Sequence, residues 1–264
     1  MLGKLVKYDL KYGYKIILIV HAILLFACIL GRFILNGVDF NAPAEALGAS
    51  LAIFITFFTL LLVGASFATC AVITVRFYKN LFTDEGYLTW TLPATPLVQL
   101  WSKIISGTIW CIADILLCFL GLIILVTGNN VTSLYVQIAP EITEALGMPL
   151  SSFALYLCLF TLFSTVASVI MIYVSIAIGQ LFPGHRILCS IIVYFVLTFV
   201  IQMFSFIFMI LFGLFPNANN VLIGDTAAHY LFSSIGLGVF LVTITAIPEY
   251  IATYYIMKKK INLI

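Results

Sequence analysis

Five stretches of the chain hold no aspartate, glutamate, lysine or arginine: residues 16–31, 46–75, 146–185, 187–224 and 226–248. A sixth, 104–140, holds only Asp114. A bilayer core takes roughly 20 helical residues to cross. Each stretch is therefore expected to hold one crossing, at about 16–33, 51–75, 104–127, 152–181, 188–215 and 231–257. The runs are continuously apolar, whereas barrel strands would alternate polar and apolar residues over short segments. Composition agrees: 64% of residues are hydrophobic and 8% charged, against about 45–50% and about 25% in soluble domains. So few charges exclude a soluble enzyme, a secreted domain and a disordered chain. The expected fold is an all-α polytopic membrane protein of six transmembrane helices.

The basic residues orient it. Lys4, Lys7, Lys11 and Lys15 precede the first expected span; Arg76, Lys79 and Lys103 lie between the second and third. Arg186 lies between the fourth and fifth, and Lys258, Lys259 and Lys260 close the sixth. Of the 12 basic residues only Arg32 falls opposite. The positive-inside rule then places both termini in the cytoplasm, with Asp39, Glu45, Glu141, Glu144 and Asp225 outside. Leu25-Phe26-Ala27-Cys28 looks like a lipoprotein signal, but the apolar run continues past Cys28, so an uncleaved span is expected. The six cysteines fall in or beside spans without metal-ligand spacing and read as packing residues. A single domain over 1–264 with short outer loops is expected, with no metal and no nucleic-acid partner.

Two cytoplasmic elements stand out. On a helical wheel Lys4, Lys7, Lys11 and Lys15 fall within an arc of roughly 80°, with Leu2, Leu5, Val6 and Gly13 across from them. Residues 1–15 are thus expected to form an amphipathic elbow helix resting on the anionic inner leaflet. Asp9 sits opposite the lysines, and two explanations are open: an ion pair with another cytoplasmic element, or a carboxylate snorkelling from the helix edge. The second element is the long inner loop 76–103. Thr83 is a suitable N-cap, and Asp84 and Glu85 set negative charge in the first turn, where the helix dipole favours it. Pro93 must end that helix, and Thr95-Pro96 reads as N-cap and first residue of the next. A two-turn helix over 84–91 carrying Tyr87, Leu88 and Trp90 is therefore expected, offered as a docking peg to a soluble partner.

The pattern Glu85-Gly86, then Leu92-Pro93-Ala94-Thr95-Pro96 and Lys103, resembles the stretch after the second span in type-2 ABC exporter permeases. The opening Leu2-Gly3-Lys4-Leu5-Val6-Lys7-Tyr8-Asp9-Leu10-Lys11 and the run from Arg76 to Leu88 resemble small permeases of Gram-positive bacteria. Tyr87 stands where the family often has threonine, and Ser102 replaces a usual glycine before Lys103. The resemblance implies a permease subunit in the bacterial plasma membrane, exporting a peptide, antibiotic or lipid-like compound. It implies an ATPase-coupling role for Asp84, Glu85, Gly86, Tyr87, Leu88, Trp90, Leu92, Pro93, Thr95 and Pro96. It also implies a separate ABC ATPase subunit that holds ATP and Mg, a second permease chain (identical or related), and an outer re-entrant region at 215–229. The chain has no GxxxxGK[ST] phosphate loop, so it binds no nucleotide cofactor of its own and is expected not to be an enzyme.

Two acids lie within the spans. Asp114 is about 15 Å into the third, near the midplane, where an aspartate costs roughly 2.5–3.5 kcal/mol on insertion scales. Glu249 follows Pro248 about 13 Å from the inner end of the sixth. Such residues mark a pathway, a relay or a helix contact; for both, transport and packing are open. Small residues such as Gly64-Ala65-Ser66, Ser164 with Ser168, and Ser233-Ser234 with Gly236 and Gly238 are assigned to packing alone. The rival functions are a membrane solute-binding protein and an immunity or sensor protein without transport. An intramembrane enzyme is disfavoured, because His21, His185 and His229 lie on separate segments and no paired intramembrane acids occur.

Overall fold

The structure, a computed structural model, describes the backbone of residues 1–38, 44–214 and 225–260, and their side chains except at 44–47 and 225–229. Among the described residues there is no strand. Eight helices follow one another: α1 Leu2–Asn36, α2 Ala44–Phe82, α3 Asp84–Thr91, α4 Pro96–Val126, α5 Asn129–Leu146, α6 Leu150–Gly179, α7 Arg186–Leu211 and α8 Asp225–Lys259. Six of them (α1, α2, α4, α6, α7 and α8) are long and apolar enough to cross a membrane. They cover the six charge-poor runs.

Three features depart from the sequence expectation. The elbow over 1–15 is not a separate helix: α1 runs unbroken through 35 residues. Nothing interrupts it, since the segment holds no proline and Gly13 is buried against α2, where an added Cβ would lie 2.4 Å from Val72. Lys4, Lys7, Lys11 and Lys15 remain exposed on its first turns. Second, the loop between the third and fourth spans is not short and irregular. It holds α5, an 18-residue helix with no buried residue, stopped by Gly147 at φ 67°, where only glycine is unstrained. Third, Thr83 occupies the N-cap position of α3, but its hydroxyl donates to the Lys79 carbonyl at 2.6 Å instead of capping. The re-entrant region expected at 215–229 lies outside the described residues up to 224, and α8 begins at Asp225.

Helices α1 and α4 are the scaffold of the polar sites. Lys103 meets Asp9 and Asp114 meets His21, at sequence separations of 94 and 93. Gly121 faces Cys28 closely, its hypothetical Cβ 3.1 Å from the sulfur. A constant offset along the whole contact means two helices running side by side in the same direction with equal rise. Packed against them, α2 supplies Arg76 at one level and Ser66 and Thr69 at the other. An apolar core of Ile73, Phe77, Leu81, Leu100, Ile104, Val169, Tyr173 and neighbours joins α2, α4, α6 and α8 near α3. A second, of Leu24, Cys28, Phe58, Ala65 and Leu125, joins α1, α2 and α4 towards their other end. The polar side chains of His21, Ser66, Thr69 and Asp114 lie between the two.

Candidate functional site

The first polar set lies where α1 begins. Asp9 is buried and its Oδ1 accepts from Arg76 Nε at 2.9 Å and Lys103 Nζ at 2.5 Å. Of the two explanations open for Asp9, the structure has the ion pair. Lys103 also donates to Asn80 Oδ1. Arg76 reaches onward to Glu85 of α3 at 3.2 Å, and its guanidinium lies over the Tyr12 ring at 4.8 Å. Two anions thus face two cations, drawn from α1, α2, α3 and α4, and the set is neutral only with α3 in place. Burial makes this matter, because an unpaired charge in such a site is costly. Tyr173 of α6 supports the set from below by donating to the Lys103 carbonyl at 3.0 Å while stacking on Phe77.

The same contacts fasten α3. Trp90 Nε1 donates to the Leu81 carbonyl at 3.1 Å, Gln99 Nε2 to the Thr89 carbonyl at 2.9 Å, and Arg76 holds Glu85. Gly86 and Thr89 are buried beneath. The prolines act as expected: Leu92 before Pro93 is extended at ψ 143°, and Thr95 accepts from the Val98 amide at N-cap. The ten residues assigned to coupling therefore divide. Trp90, assigned to docking, packs against the bundle's own apolar core, because its indole N–H must find an acceptor once buried. Tyr87 and Leu88 point outward, 54% and 75% exposed, with Asp84, Leu92, Pro93 and Thr95 also exposed and Pro96 half-buried.

The second polar set lies about 17 Å further along α1 and α4, by helical rise. His21 Nε2 and Asp114 Oδ1 are 2.8 Å apart, with both side chains buried. Thr69 donates to the same oxygen at 3.1 Å, and Ser66 donates to Oδ2 at 2.8 Å. His21 Nδ1 lies 2.8 Å from the Ile17 carbonyl. A carbonyl only accepts, so Nδ1 must carry a hydrogen. The short Nε2–Oδ1 contact needs a second hydrogen between its atoms. The pair therefore holds one proton beyond a neutral histidine and a carboxylate, as imidazolium and carboxylate or as imidazole and carboxylic acid. Either way it adds no net charge to the bilayer interior, where one is expensive.

Nothing in the sequence joins His21, Ser66 and Thr69 to Asp114. His21 carried a signal: it is an ionisable residue within a charge-free run, and such residues are functional candidates by default. Ser66, assigned to packing, bonds the acid instead. Spacing along the chain shows no metal-ligand pattern, yet the fold brings ligand atoms of His21, Asp114 and Cys118 within 4.8 Å of one another. Glu249 is buried on α8 after Pro248 but forms no ion pair among the described residues. The structure does not bring it to the Asp114 set.

No family model, curated protein or solved structure matches the chain.

Proposed function

We propose that this chain is the membrane permease subunit of an ATP-driven exporter, working with a separate ABC ATPase. One observation carries the proposal. α3 is an apolar-tipped two-turn helix pinned on its inner side by Trp90, Gln99 and Arg76, so that Tyr87 and Leu88 project from the basic end of the bundle. A leucine three-quarters exposed on a fixed helix outside the spans has no use in the isolated chain, and it fits a hydrophobic cleft on a soluble partner. Glu85 is tied to Arg76 and Thr89 to Gln99, so motion of such a partner would pass to α2 and α4, and through the Arg76–Asp9 pair to α1.

The excess of lysine and arginine at that end favours a cytoplasmic position for it, in a bacterial plasma membrane with both termini inside. The long apolar face of α7, which has no buried residue, meets lipid or a second permease chain. The ATPase partner carries ATP and Mg.

The test is co-purification of the chain with candidate ABC ATPases, followed by ATP hydrolysis in lipid. Leu88→Asp is expected to reduce ATPase capture about tenfold or more, in line with loss of an interface anchor, with membrane insertion unchanged. Capture of no ATPase by the wild-type chain, or full capture and turnover by Leu88→Asp, would overturn the proposal.

A further inference from the structure

The Asp114 set has the composition and arrangement of a cation site that its hydrogen bonds alone do not require. Three facts coincide. Ligand atoms of His21, Asp114 and Cys118, one from each, lie within 4.8 Å of one another, from α1 and from successive turns of α4, with His21 Nε2 the nitrogen 2.8 Å from Asp114. His21 Nδ1 donates to the Ile17 carbonyl at 2.8 Å, which leaves Nε2 as the ligating atom and fixes the ring, as the outer hydrogen bond of metal-binding histidines does. Ser66 donates to Asp114 Oδ2 at 2.8 Å and lies 4.0 Å from Cys118 Sγ, so the carboxylate is oriented by a second group. We infer that His21, Asp114 and Cys118 form an intramembrane binding site for a zinc-class divalent cation.

Charge explains why such an ion would be accepted in a bilayer. The pair of His21 and Asp114 carries one shared proton, and the Cys118 thiol carries another. Replacing both by a divalent cation leaves neutral imidazole, carboxylate and thiolate around two positive charges. The site is neutral before and after, and two protons leave for each ion bound. Nitrogen, oxygen and sulfur donors in a group of three suit zinc, with a fourth position left to water or to the Ser66 hydroxyl. Ser66 and Cys118 are half-buried, in contrast to His21 and Asp114, and form the open side of the site. The bound ion would tie α1 to α4 at the level where α2 also joins them. This inference stands independently of the ATPase proposal.

The full chain in lipid nanodiscs is titrated with Co²⁺ as a spectroscopic probe and with Zn²⁺, in a background where Cys70 of α2 and Cys111 of α4, a neighbouring thiol pair that could bind the probe, are replaced by alanine. One ion per chain is expected, with a thiolate-to-cobalt charge-transfer band, intense four-coordinate visible bands, and release of two protons. Cys118→Ala should abolish the charge-transfer band, and His21→Gln should weaken Zn²⁺ binding by about 100-fold or more, at or above the range for outer partners. Ser66→Ala should weaken it by about tenfold. If the parent chain takes up no ion, the inference is wrong. It is equally overturned if binding shows no thiolate band, releases no protons, or is untouched by Cys118→Ala. Cys118→Ala leaves the hydrogen bonds of Asp114 in place, so a folding defect in His21→Gln would not obscure the result.

Discussion

The two polar sets join the same helices but are neutralised in different ways. Around Asp9 the charges are formal and numerous: two acids, two bases, four helices. One member, Glu85, is half exposed and sits on the element that faces outward. Around Asp114 a proton does the neutralising, and hydroxyls from α2 saturate the acid. The first set includes a residue of α3. The second is drawn from α1, α2 and α4 alone and has no member on α3. If a partner binds α3 as proposed, it would act on the Asp9 set first and reach the Asp114 set only through α1, α2 and α4.

The largest effect expected from this contrast is that of Asp9→Ala. It leaves Arg76 and Lys103 facing each other with only Glu85 to compensate, and breaking one partner of a buried pair costs about 3–5 kcal/mol. Thermal unfolding in detergent should show it, and Asp9→Asn combined with Lys103→Met should recover part of the loss. A single mutant as stable as wild type would mean that the Asp9 set is not held by charge.

Next in size is Asp114→Leu, which strips partners from His21, Ser66 and Thr69 together, for about 1–3 kcal/mol. Asp114→Asn should cost only about 1 kcal/mol, the scale of polar contacts between membrane helices, because the amide oxygen still accepts from Ser66 and its nitrogen donates to the ring, while Thr69, which shared Oδ1 with the ring, keeps the Ala65 carbonyl as acceptor. It keeps insertion intact while removing the shared proton. In a reconstituted system Asp114→Asn is expected to reduce transport. Wild-type transport by that variant would assign Asp114 to packing. Tyr173→Phe, which loses one bond to the Lys103 carbonyl, should cost about 1 kcal/mol in the same unfolding measurement.

What could be read from sequence follows from which interactions are local. Charge-free runs reveal the spans, because desolvation acts on each residue by itself. Pro93 and Thr95-Pro96 reveal the corners around α3, because proline restricts its own neighbourhood. α5 is not legible in the sequence: it buries no residue, and Pro140 inside it reads as a helix breaker. The sites were legible only as separate residues. Asp9 was visible as a charge on the wrong side of a wheel, and Asp114 as a charge in a span. Their partners depend on the 93–94 residue offset between α1 and α4, which is a tertiary property. Trp90 illustrates the same limit, since its apolar ring suggested docking while its N–H committed it to Leu81.

The smallest expected effect on stability is that of Glu85→Gln, and it separates the two sets most directly. The Arg76–Glu85 pair is half exposed, so solvent screening limits its worth to about 0.5 kcal/mol. Thermal unfolding should hardly move. The change nonetheless removes the only ion pair between α3 and the bundle among the described residues, leaving Trp90 and Gln99 to hold the helix. Backbone amides of 86–91 should then exchange faster with solvent, while those around His21 and Asp114 keep their protection. Under the proposed function, ATPase stimulation should fall with little loss of binding, because Tyr87 and Leu88 would still dock while their motion is transmitted less firmly. If exchange quickens around Asp114 as well, the two sets behave as one unit. The proton-bearing site would then respond to α3 directly.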